Sequence, residues 1–165
     1  MASMFKRIWS NLIDNCTAGP SIHLQQRFQV GSASFFLPFG WQPLKNSQEI
    51  LTACSADGRQ RATISVVHFE SEVTFDSFKA LCEKRLTIEK QVLAEGHVES
   101  DPPVAGGDTY SLLFSGRDKQ NDRVFLGYLS LKHRELITVY VEGVGVSPAE
   151  HEKSFTFLLR GLATK

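Results

Sequence analysis

Ile22, Leu24, Gln26, Phe28 and Val30 alternate with His23, Gln25, Arg27 and Gln29, the two-residue period of a half-buried strand. Gly31-Ser32 breaks it. Phe35-Phe36-Leu37 resumes an apolar run and leads into Pro38-Phe39-Gly40-Trp41-Gln42-Pro43, whose two prolines exclude a central strand. Residues 49–55 and 61–69 read as two paired strands. Asp57-Gly58 between them is a hairpin signal, since both residues tolerate positive φ. The period then changes to helical. Phe75, Phe78, Leu81, Cys82, Leu86, Ile88, Val92 and Leu93 fall on one arc of roughly 160°. Thr74 is positioned to cap that helix, Asp76 suits its first turn, and Gly96 is its expected end.

Asp101-Pro102-Pro103 and Gly106-Gly107 read as turns. Strands are expected at about 108–115, 122–132 and 135–142. The middle one, Val124 to Leu131, is apolar on both faces, so the sheet needs cover on both sides. Ser147, Pro148 and Glu150 then carry the signature of a helix start and its capping box. His151, Phe155, Leu158, Leu159 and Leu162 form that helix's inner face, and Gly161 is read as its end. The expected fold is α/β of the α+β kind: a largely antiparallel sheet with helices on both faces, an α/β/α sandwich.

The first twenty residues stand apart. Met4, Phe5, Ile8, Trp9, Leu12 and Ile13 recur at helical spacing, and Gly19-Pro20 ends the pattern. A helix of about ten residues is marginal alone in water, so its apolar side needs a docking surface. That surface is on its own domain, on a second copy of the chain or on a partner. Residues 1–20 are therefore read as an amphipathic arm and 21–165 as a single domain.

Composition narrows the function classes. The chain has 165 residues, 42% of them hydrophobic, with 18 Lys plus Arg against 18 Asp plus Glu. Zero net charge argues against a dedicated nucleic-acid binder, and no apolar run is long enough to span a membrane. Cys16, Cys54 and Cys82 make a poor disulfide framework. With no uninterrupted apolar leader, the expected location is the cytoplasm.

The search for chemistry finds no nucleophile-elbow motif and no metal-ligand spacing among His23, His68, His97, His133 and His151. Cys82, on the apolar face of the long helix, reads as a packed, inert thiol. No cofactor is implied. Arg85 and Glu89 sit inside the long helix's apolar arc. They read as an i,i+4 pair at its wet end, worth roughly 0.2–0.5 kcal/mol, or as a polar anchor in a binding groove. Trp41, with Phe39 in a proline-bounded loop, is a lid over the core or an anchor for a partner.

The run Phe35 to Trp41, the Asp57-Gly58 strand pair, the helix from Thr74, Gly106-Gly107-Asp108 opening three strands and the capped terminal helix resemble the PsbP/Mog/DcrB-like group. The resemblance covers residues 28–164. Within the group the chain is most similar to the Eag-type chaperones of bacterial type VI secretion. The resemblance implies a largely non-enzymatic protein that holds an apolar segment of a secreted effector. On that expectation the partner-binding residues are Phe5, Ile8, Trp9, Leu12, Phe39, Trp41, Arg85 and Glu89. Two alternatives remain. One is a small-molecule binder or enzyme using Arg85, His68 and Glu89 between sheet and long helix. The other is a self-associating subunit, such as a homodimer, that exchanges residues 4–13.

Overall fold

The computed structural model describes residues 26–163. Phe5, Ile8, Trp9, Leu12, Cys16 and His23, with the rest of the arm, lie outside the described residues. So does the first half of the strand expected from Ile22.

The chain runs β1 (Arg27–Val30), β2 (Ala33–Phe36), β3 (Gln42–Asn46), β4 (Ile50–Cys54), β5 (Gln60–His68) and α1 (Phe75–Gln91). It continues through β6 (Gly96–Ser100), β7 (Val104–Gly106), β8 (Thr109–Asp118), β9 (Arg123–Lys132), β10 (Glu135–Val144) and α2 (Pro148–Ala163). One sheet has the order β3-β4-β5-β10-β9-β8-β6, with β7 also paired to β8, and every pairing is antiparallel. β1 and β2 form a separate hairpin.

The sheet is covered on both sides, as the two-faced apolar strand requires. α1 packs over β8 and β6, above a core that includes Phe78, Cys82, Leu112, Phe114, Phe125, Leu129 and Leu131. α2 and the β1–β2 hairpin cover the opposite face, where Phe35, Leu113, Tyr128, Val139, Phe155 and Leu158 are buried. The result is the α/β/α sandwich, with the small hairpin sharing one outer layer.

Local signals explain most element ends. Thr74 Oγ1 accepts from the Ser77 amide at 3.2 Å, and Ser147 Oγ accepts from the Glu150 amide at 3.2 Å. Each satisfies an orphan donor of a first helical turn. β3 carries Pro43 and a register shift between Pro43 and Lys45, and it lies at the sheet's edge, where a missing N–H costs no ladder bond.

Two expectations fail on α1. It ends at Gln91, with Val92 as its cap, rather than near Glu95. Ile88 and Val92, counted within its apolar arc, are exposed. The strands β6 and β7 lie on either side of the expected Asp101-Pro102-Pro103 turn, where the sequence pattern predicts no strand. Neither strand has a clear two-residue apolar period, yet tertiary pairing to β8 makes both extended.

Asp118 anchors this departure. It is 1% exposed and accepts from the amides of Ala94, Glu95 and Gln120 and from Asn121 Nδ2 at 2.7–3.3 Å. Asn121's side chain first, and the amides of Ala94, Glu95 and Asn121 after it, hold the carboxyl below its ordinary pKa against the cost of burial. Asn at 118 would keep one acceptor oxygen and lose the other. We expect Asp118→Asn to lower the thermal midpoint by about 5 °C and to speed hydrogen exchange in β6. A midpoint within about 1 °C of the parent would contradict that anchoring role.

On the α1 side, two glycines each face a phenylalanine across neighbouring strands. Phe114 pairs with Gly127, and Gly116 pairs with Phe125. A Cβ on either glycine would drive into the opposing ring. The outer edge of each ring therefore sits over bare backbone, and the two rings meet edge to face with centres 6.3 Å apart.

Candidate functional site

Pro38 to Trp41 forms a β-turn closed by the Trp41 amide donating to the Pro38 carbonyl at 3.1 Å. Gly40, at φ +81°, sits in the third position of a type II turn, which glycine occupies without strain. The corner leaves Phe39 98% exposed, while Trp41 folds back against the larger core. The two readings of this loop thus divide between its aromatics: Trp41 is the lid and Phe39 is the projecting ring.

Opposite lies the β4–β5 hairpin. Ser55 Oγ donates to Asp57 Oδ1 at 2.6 Å, and Arg59 Nε donates to Asp57 Oδ2 at 2.8 Å. The Ser55 hydroxyl, then the Arg59 amide and guanidinium, hold the Asp57 carboxyl well below the usual carboxylate range. Arg59 also donates to the Gly145 carbonyl at 2.8 Å and reaches Glu150 at 3.9 Å, tying the hairpin to the start of α2.

Between turn, hairpin and α2 runs an open groove of about 940 Å³. Phe39, Trp41 and Ala56 line one side. α2 contributes Ala149, Lys153, Thr156, Phe157 and Arg160, one stripe at helical spacing. The Arg160 guanidinium lies 5.1 Å from the Phe157 ring centre. Two polar atoms of the lining are buried without a hydrogen-bond partner: Gln60 Oε1 and Arg160 Nε.

Arg85 and Glu89 lie elsewhere, beneath α1. Arg85 Nε donates to Glu89 Oε1 at 2.9 Å, and its guanidinium stacks over Phe114 and Tyr140 at 5.7 and 5.4 Å. Glu89 is only 6% exposed, so the pair is not at a wet end of the arc as expected. Ile88 and Val92 face outward, and Glu89 is turned onto the sheet. Arg123 donates to Tyr140 Oη at 2.6 Å and to Glu142 Oε2 at 3.0 Å. Burial, and then the Glu89 charge, raise the Tyr140 pKa, keeping the phenol protonated. This cluster is a satisfied, packed network over the Phe–Gly floor.

His68 does not join it. It is exposed at the end of β5, 4.0 Å from Glu135, five positions along the strand from the residue opposite Tyr140. That is about 17 Å at strand rise. The structure therefore does not bring Arg85, His68 and Glu89 together. Cys82 is buried, and burial pushes its thiol up to about 12, the inert state expected of it. No cluster of three metal-ligating side chains occurs among the described residues.

The groove's α2 wall was missed by sequence reasoning. Phe157 was the available signal: it is an aromatic off the inner stripe of His151, Phe155, Leu158, Leu159 and Leu162. Such a residue in a capped amphipathic helix faces something other than its own sheet.

No protein-family model matches the chain, and no curated protein matches it. Solved structures do. The chain is similar to cyanobacterial PsbP (CyanoP) from Synechocystis sp. PCC 6803, at 14% identity and a TM-score of 0.59. The match covers 88% of this chain and 97% of that one. A protein from Bacteroides thetaiotaomicron VPI-5482 matches at 10% identity and a TM-score of 0.48, over 83% of this chain and 47% of that chain. The fold is thus PsbP-like. No helix among the described residues is long and apolar enough to cross a membrane.

Proposed function

We propose that this PsbP-like domain is a non-catalytic binding module that holds an apolar segment of a partner protein in the groove between the Pro38–Trp41 turn and α2. Phe39 carries the reading. A phenylalanine ring left 98% in water, at a corner whose glycine fixes its direction, is an anchor awaiting a partner surface. Trp41 and Phe157 extend the apolar lining on either side. Ser55, the hydroxyl nearest an acid in the groove, donates to Asp57, and no histidine lines the groove beside it. The resemblance to Eag-type chaperones supports the same reading and extends it to an effector segment in type VI secretion.

Phe39→Ala in the full chain is expected to weaken binding of a labelled apolar peptide about tenfold. Its thermal midpoint should stay within about 1 °C of the parent, because an exposed ring contributes little to folding. Unchanged peptide affinity in that variant would remove the groove from the account.

A further inference from the structure

The lining of the groove carries more than an apolar surface. Its acids are already engaged. Asp57 is bonded by Ser55 and Arg59, Glu150 lies 3.9 Å from Arg59, and Glu152 has an interaction of its own. Its cations are not. Lys153 is exposed with no carboxylate partner among the described residues. Arg160 rests on the Phe157 ring, and its Nε donates to nothing. The two cations flank Phe157 along the α2 stripe, so the wall reads cation, aromatic, cation. Gln60, 3% exposed, adds a buried acceptor without a donor.

Each feature is the complement of something a ligand must bring. Unpaired cations beside aromatics call for a carboxylate next to an apolar side chain. We infer that the groove takes a peptide segment in which an acidic residue is flanked by apolar ones. Its carboxylate lies between Lys153 and Arg160, and its apolar side chains lie against Phe39, Trp41 and Phe157. This inference rests on the proposed binding function and names the chemistry of the segment bound.

The test uses the full chain and three coumarin-labelled peptides, read by fluorescence anisotropy. The peptides are Ser-Leu-Phe-Asp-Phe-Leu-Ser and its Asn and Lys counterparts at the central position, blocked at both ends. The Asp peptide should bind three- to tenfold tighter than the Asn peptide, about what one ion pair at a partly desolvated site supplies. The Lys peptide should bind more weakly still, and raising the salt concentration should narrow the spread. Lys153→Glu should reverse the order, and the milder Lys153→Gln should flatten it. Lys153 is exposed, so both variants are expected to fold.

Equal affinity for all three peptides, lost together in Phe39→Ala, would overturn acid recognition and leave the apolar groove standing. An Asp preference that persists unchanged in Lys153→Glu would also overturn it. Binding of none of the three would overturn both readings.

Discussion

Between pH 6.5 and pH 4 the folded state is expected to lose about 3 kcal/mol of stability through His151 alone. The ring sits on the inner face of α2, 2% exposed, and neither nitrogen makes a well-formed hydrogen bond. A Cβ on Gly143 would stand 3.2 Å from its Nδ1, and Val146 packs beside it. Burial pushes its pKa from 6.5 down to about 4, against a smaller opposite pull from the Val141 backbone. The unfolded chain therefore takes up the proton first. Stability from the neutral ring is fully present above about pH 6.5 and drains away as pH falls toward 4. Urea unfolding at pH 7 and pH 4 measures it, with His151→Leu as the control. Carboxylates titrate in both proteins, so the difference between them isolates the imidazole. If parent and variant lose the same stability over this range, His151 is not buried in its neutral form.

Gly161→Ala should destabilise by about 2 kcal/mol, although alanine in a helix interior ordinarily gains up to about 1 kcal/mol over glycine. Gly161 lies inside α2, which continues to Ala163. A Cβ there would press on the Ser34 carbonyl and come within 2.6 Å of the Phe35 ring. The glycine lets α2 settle directly on the backbone of β2, in the hairpin that shares its layer. Chemical denaturation of the variant decides the sign. A stabilised protein would mean that β2 can retreat freely from the helix.

These two residues also mark where sequence reading succeeds and where it stops. His151 was placed on the inner face of α2 by period alone, and the packing agrees. In the sequence Gly161 has the look of a helix terminator, because a glycine near the end of an apolar pattern usually is one. What distinguishes the cases is the neighbour: a terminating glycine answers to its own backbone, and this one answers to Ser34, 127 positions earlier in the chain. The same division runs through the fold. Strands with two-residue periods and the hairpins at Asp57-Gly58 and at 132–135 were legible, because their causes are local. β6 and β7 were not, since only pairing with β8 makes them strands. Phe39 and Trp41 stood out as aromatics in a proline-bounded loop. The α2 half of the groove did not, because its membership depends on which elements the topology brings opposite that loop.

The Phe114–Gly127 and Gly116–Phe125 pairs carry a consequence for how this chain can change over time. The space on that face of β8 and β9 is owned jointly by two positions, not singly by either. A larger residue at one glycine is acceptable only after its opposing ring has shrunk, and a smaller residue at one phenylalanine leaves a void that its glycine cannot fill. The four positions are therefore tied into two couples, each constrained to drift together. Exchanging the two members of a couple, Phe114→Gly together with Gly127→Phe, is therefore expected to cost less stability than either change made alone.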